Sequence, residues 1–265
     1  MSHAPPKGRL RNGTVLLWVS SGLTYALLYA PIAVTVLFSF NAPRGRFNLQ
    51  WQGFTLENWL HPLRDPALSA AFLISVAIAA AAALIATAFG GMMALALSRF
   101  RLRGHHWIEL LLVLPLTNPE IVLAVSLLNL FASAGLQRGP LTLLLSHSLF
   151  CLSYAALTVK ARLSDFDWQL EEAALDLGAR PLEAFRRVTL PLMAPGLLAA
   201  ALLSFSLSFD DYVISTFNAG VVVTLPLYIA GAFQREISPQ IQVLSSLVLL
   251  ISAALLALGL RQKQI

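Results

Sequence analysis

Along this chain the apolar residues come in long blocks, each about the length of a helix that crosses a bilayer, separated by short polar stretches. A helix needs about 20 mostly apolar residues to span the hydrocarbon core. Blocks of that kind predict spans over residues 15–40, 67–98, 108–134, 141–159, 192–209 and 239–260. The stretch 212–234 is also uncharged, but it is interrupted by "FNAG", Pro226 and Gly231, and only Asp210 and Asp211 separate it from the block before it. Two acidic residues are too few for a turn between two full spans. The fifth helix is therefore expected to run somewhat past Asp211 into an irregular or re-entrant segment, buried against protein so that its backbone groups are satisfied. The pattern predicts an all-α integral membrane protein with six spans, and seven is the alternative.

The charges supply an orientation. The chain has 265 residues, of which 57% are hydrophobic and 12% charged, far below the quarter usual in soluble domains. With both termini in the cytoplasm, the inner side holds Lys7, Arg9, Arg11, Arg99, Arg101, Arg103, Lys160, Arg162, Arg180, Arg186, Arg187, Arg261 and Lys263. Arg44, Arg46, Arg64, Arg138 and Arg235 remain outside, and this asymmetry is the one the positive-inside rule expects. A seventh span would move Arg261 and Lys263 outside. The net charge of +5 reflects these loops and not nucleic-acid binding. The basic start resembles a signal peptide, but the apolar run 15–40 is too long for a signal core and lacks a clear small-residue cleavage site. It is expected to stay as the first span of a single membrane domain, 15–260, between cytoplasmic tails 1–14 and 261–265.

Two polar segments are long enough to have work of their own. Outside, 41–66 carries Trp51, Phe54 and Trp59, which suit an interfacial aromatic belt or a contact with a partner or substrate. Inside, 160–191 contains "EEAALDLGARPLEAFRRVTLP". Ser164 or Asp165 is placed to cap a first helix, "DWQLEEAALDL", and Gly178 to end it in a left-handed conformation. Pro181 is preset for the first turn of a second helix, and Pro191 marks entry to the fifth span. On the first helix Ala173 and Ala174 allow close approach, while Glu171, Glu172 and Asp176 offer charge. Such a helix–turn–helix suits either a groove in a cytosolic partner or the lipid surface, and its acidic residues argue against an inner leaflet that is itself negative.

The spacing of that loop carries a resemblance. Glu172-Ala173-Ala174, then Gly178, then Val188-Thr189-Leu190-Pro191 matches the EAA loop of ABC-importer permeases, with Val188 where isoleucine is usual. The resemblance implies a type I importer permease whose cytoplasmic loop docks in a groove of an ATP-hydrolysing subunit, through Glu172, Ala173, Ala174, Gly178, Leu190 and Pro191. It implies, as partners, a second permease subunit, two ATP-binding cassette subunits and an extracytoplasmic binding protein, in a bacterial inner membrane. Nothing in the chain matches the phosphate-cradling G-x-x-x-x-G-K-[ST] pattern, so no cofactor is expected here; ATP and magnesium would sit on the partner ATPases.

Ionisable groups within a membrane are costly and therefore mark candidate sites. Glu120, after Pro119, lies about twelve residues into the third span, roughly 18 Å at 1.5 Å per residue, near mid-bilayer. Asp210 and Asp211 close the fifth span beside Phe209 and Tyr212, and adjacent helical positions diverge by about 100°, so one of the pair faces a given path. Carboxylates with aromatic faces suit an elongated organic cation, through charge pairing and cation–π contact. The wider pattern, "SFN…WQGFTLENWL", "PEIVLAVSLL" and "SFDDYVISTF", is similar to polyamine permeases of spermidine/putrescine importers, of their second-permease type. That resemblance implies a polyamine path lined by Glu120, Asp210, Asp211 and Tyr212, with Trp51 and Trp59 at the interface. A permease for another small solute, or an ion-coupled secondary transporter, is the alternative. His61, His105, His106 and His147 show no metal-ligand spacing, Cys151 has no disulfide partner, and no nucleophile–base constellation is visible. A transport subunit without its own catalytic site is expected.

Overall fold

The computed structural model describes residues 7–45, 47–100, 104–164, 166–234 and 237–262, and their regular secondary structure is helical. Arg46, Arg101, Arg103, Asp165, Arg235, Lys263 and the outer parts of both tails, which entered the orientation and capping arguments, lie outside them. The helices are α1 (Lys7–Phe38), α2 (Glu57–Leu60), α3 (Pro66–Arg99), α4 (His105–Thr117), α5 (Glu120–Ser133), α6 (Pro140–Leu163), α7 (Gln169–Asp176), α8 (Pro181–Ala184), α9 (Leu190–Asp210), α10 (Val213–Asn218), α11 (Leu225–Ala232) and α12 (Pro239–Gln262). Among the described residues there is no β-strand, only the isolated bridges Asn41–Phe54 and Phe47–Ile237. Among the described residues four helical runs are long and apolar enough to cross a membrane, and a fifth is added if α4 and α5 count as one broken span.

Contacts divide the chain into two units, Met1–Pro66 with Gly231–Ile265, and Ala67–Ala230. In the first, α1 packs on α12, and residues 41–60 fold into a cap at the end of α1. A buried amide network holds that cap. Asn41 donates to Asn48 Oδ1 (2.6 Å) and the Gln50 carbonyl (2.7 Å), and accepts from Gln52 N (2.7 Å). Asn48 donates to the Phe38 carbonyl (2.8 Å) and to Gln242 of α12. Trp59 stacks on Phe40 (5.1 Å) and donates to Ser39 Oγ (3.1 Å), whereas Trp51, edge-on to Phe38, remains exposed.

In the second unit α6 is the central element. It packs along α9 and touches α4, α5 and α10. The buried face of α3 is a stripe of small residues, Ala71, Ser75, Ala79, Ala82, Ala86, Gly90 and Ala94, recurring every three or four positions. Small side chains let backbones approach where lipid offers no hydrophobic drive for helix pairing. At Gly90 another helix's backbone comes so close that a Cβ would lie 2.8 Å from Ala156 N.

Four local expectations are corrected. The third span is not one bent helix over 108–134: α4 and α5 meet at 111°, because Asn118 is extended (ψ 144°) ahead of Pro119, as a residue before proline is forced to be. The depth estimated for Glu120 along a continuous helix therefore does not hold. The fifth helix stops at Asp210 and does not run past Asp211, which is extended (ψ 119°). The segment after it contains two short helices, α10 and α11. Pro191 does lie in the first turn of α9, but α9 is not separate from the helix before it, since Pro181–Asp210 is one helical run carrying a π turn at Phe185–Thr189. Finally, the start of α7 is capped by Asp167, whose Oδ1 accepts from Gln169 N (3.0 Å), while Ser164 donates back to the Ala161 carbonyl (2.8 Å). The end of α7 is as expected: Gly178 has φ +91°, and Ala179 N reaches the Ala174 carbonyl (3.1 Å), the six-to-one bond of a Schellman turn.

Candidate functional site

Two chain breaks, at Asn118–Pro119 and at Asp211, bring a polar cluster into the second unit. Asp211 leaves the helical path and turns its carboxylate onto the N-terminus of α10. Oδ1 accepts from Ile214 N (3.1 Å), and Oδ2 accepts from Ser215 N (2.9 Å) and Ser215 Oγ (3.3 Å). Free N–H groups at a helix start favour such an anion. His147 of α6 comes up beside it, with Nε2 3.2 Å from Asp211 Oδ2 and 3.1 Å from Ser215 Oγ, and Nδ1 2.7 Å from Ser208 Oγ of α9. Both side chains are 1% exposed. Asn218 closes the cluster, donating to the Ala124 and Ile214 carbonyls (3.2 and 3.1 Å), which pins α10 to α5.

Glu120, the first residue of α5, faces Asp211. It is half-buried, and Tyr154 of α6 lies close to it. Glu120 and Asp211, 91 positions apart, thus share one site, their carboxyl groups hydrogen-bonded to each other and Asp211 also accepting from Ile214 and Ser215. Asp210 is exposed, and Tyr212 is 46% exposed. Phe209 is buried, stacked on Phe205 (5.8 Å) and edge-on to Phe72 (6.1 Å). Of the two neighbouring aspartates, the inward one is Asp211.

His147 had no sequence signal beyond its polarity among apolar residues. Its partners are 61, 64 and 68 positions away, and only the pairing of α6 with α9 and α10 supplies them.

The cytoplasmic-type loop forms a second arrangement. On α7, Glu172, Ala173, Asp176 and the 90%-exposed Leu177 share the open face. Glu171, expected to offer charge outward, points the other way: its side chain is 3% exposed, paired with Arg99 and accepting from Thr189 Oγ1 (2.6 Å). Neighbouring helical residues diverge by about 100°, so a tandem Glu-Glu divides between the two faces. Leu190 is partly exposed, and the π turn leads directly into α9, which holds Pro191 in its first turn. Among the described residues no group of three or more His, Cys, Asp or Glu side chains is arranged to hold a metal ion.

Comparison with known proteins follows the same lines. Residues 86–262 match the family model described as binding-protein-dependent transport system inner membrane component. The spermidine/putrescine transport system permease protein PotC of Haemophilus influenzae is 41% identical over 239 residues, covering 89% of this chain and 92% of that one. PotC of Escherichia coli is 38% identical (92% and 90% covered), and the putrescine transport system permease protein PotI of Escherichia coli 37% (86% and 83%). In three dimensions the chain resembles a bacterial ABC transporter involved in the import of the acidic polysaccharide alginate, with TM-score 0.67 and 16% identity over 99% of both chains, a likeness of fold alone. With two thirds of its length matched by the family model and relatives near 40% identity over most of the rest, the chain belongs to the family of binding-protein-dependent transport system inner membrane components.

Proposed function

We propose that this chain is a membrane-spanning permease subunit of an ATP-driven importer that carries polyamines of the spermidine/putrescine class inward by alternating access. The observation that carries the reading is the near-full-length similarity to permeases named for those amines, in a chain that also sets a half-buried carboxyl group, Glu120, among buried polar groups. A polyamine presents ammonium ends on an aliphatic stem. Glu120, with Tyr154 beside it, offers charge pairing and an aromatic face, and the exposed Asp210 and Tyr212 offer the same chemistry at the end of α9.

In this reading the chain crosses an inner membrane six times with both termini cytoplasmic, α4 with α5 serving as the third span and α12 as the sixth, within a membrane domain over 15–260. The loop 160–191 faces the cytoplasm, where Glu172, Ala173 and the rest of the open face of α7 seat in an ATP-binding cassette subunit. A second permease subunit, two such ATPases and an extracytoplasmic binding protein complete the machine. ATP and magnesium belong to the ATPases, and this chain performs no covalent chemistry. Closure of the ATPases displaces α7, the helices open outward to receive the amine from the binding protein, and hydrolysis resets the inward-facing state.

The test is ATP-dependent uptake of radiolabelled spermidine and putrescine into proteoliposomes holding the full complex and its binding protein, with Glu120→Gln alongside. Uptake that falls in the variant supports both substrate and path. An ATPase that responds only to another solute's binding protein would discard the polyamine and keep the importer.

A further inference from the structure

The opposite faces of α7 have different partners, and the inner one is anchored by a charge. Glu171 is the one residue of α7 that is fully buried. One carboxylate oxygen pairs with Arg99, in the last turn of α3; the other accepts the Thr189 hydroxyl at 2.6 Å, at the end of the π turn that opens into α9. Thr189 is itself completely buried. The Arg99 guanidinium sits over the rings of Trp168 (5.9 Å), just ahead of α7, and Phe100 (5.7 Å). A single side chain therefore joins three elements that are adjacent nowhere in sequence.

Apolar contacts alone would hold α7 against the bundle, because replacing a buried ion pair by apolar residues of similar volume is often neutral or stabilising. Apolar contacts are also non-directional and permit sliding. A buried carboxylate is satisfied in one relative placement of its donors and loses heavily in others. We propose that Glu171 is a positioning residue that locks α7 to α3 and α9 together, so that displacement of α7 by the ATPase moves both membrane helices as one. The inference rests on the reading of α7 as the ATPase-seating helix. It assigns transmission to the inward Glu171 and docking to the outward Glu172.

The experiment uses the full reconstituted complex with Glu171→Gln, Thr189→Val and the double variant Arg99→Leu/Glu171→Leu, and reads ATPase co-purification and solute taken up per ATP hydrolysed. The expected result is that the ATPases co-purify with every variant, since the open face of α7 is intact. Uptake per ATP falls about tenfold in Glu171→Gln and less in Thr189→Val, the size of an ordinary coupling free energy. The apolar double variant restores the yield of folded complex and leaves the ratio low. A ratio within about twofold of the unaltered chain in Glu171→Gln, or one restored by the double variant, overturns the proposal, because packing alone then suffices. An unaltered chain that captures no ATPase overturns the functional reading itself, a result distinct from either.

Discussion

Replacing Asp211 by alanine separates architecture from transport at the polar cluster. The carboxylate accepts from the backbone N–H groups of Ile214 and Ser215 and lies within 3.2 Å of His147 Nε2. Truncation strands the two backbone donors among buried neighbours, while His147 Nε2 keeps Ser215 Oγ at 3.1 Å. Each buried donor left unsatisfied costs about 1–3 kcal/mol, and partial relief by fraying of the six-residue α10 brings the total to about 2–5 kcal/mol. At this chain length 1 kcal/mol shifts a melting midpoint by about 2–4 °C, so Asp211→Ala is expected to melt about 4–20 °C lower in detergent. Asp211→Asn keeps one oxygen acceptor and should fall between the two. Glu120→Gln keeps a polar group facing that carboxylate and strands no donor, so its midpoint should not fall, although its uptake does. The measurement is thermal unfolding of purified protein followed by intrinsic fluorescence, with uptake assayed in parallel. An Asp211→Ala protein as stable as the unaltered chain, or a Glu120→Gln protein destabilised as much as Asp211→Ala, would refute the assignment of Asp211 to structure and Glu120 to the path.

Three further outcomes follow from the packing and the turns. Gly90→Val should lower stability by about 2–3 kcal/mol through overpacking against Ala156 N, whereas Gly22→Ala, whose Cβ meets nothing within 4 Å of this chain, should leave the melting midpoint unchanged or raise it. Gly178→Pro should insert normally and lose stimulated ATPase activity in the reconstituted complex, since proline fixes φ near −65° where the chain needs +91° and removes the N–H that bonds the Leu175 carbonyl; normal stimulation would end the coupling role of the turn. Asn41→Ala should open residues 41–60 to limited proteolysis by breaking the amide network, at about 2–4 kcal/mol, and an unchanged cleavage pattern would show that the aromatic stacking holds the cap alone.

The sequence by itself determined the helical class, the positions of the long apolar runs and the turn at Gly178, because each follows from local physics. Block length is set by bilayer thickness, and a left-handed glycine ends a helix whatever surrounds it. It also marked Glu120 and Asp211, since a carboxylate in an apolar run is conspicuous on composition alone. What it did not determine was which groups meet. Proline at 119 stands within the predicted third span, but the 111° break there follows from an Asn118 that turns extended and from α5 packing against α10. The tandem glutamates 171 and 172 look alike in sequence; only the approach of Arg99 and Thr189 turns one inward and leaves the other in the open. His147 was passed over because hydrogen bonds to residues more than sixty positions away leave no periodic trace. Helices are written in neighbours three and four apart, and a buried polar site is written in distances that only the packed bundle brings within 3 Å.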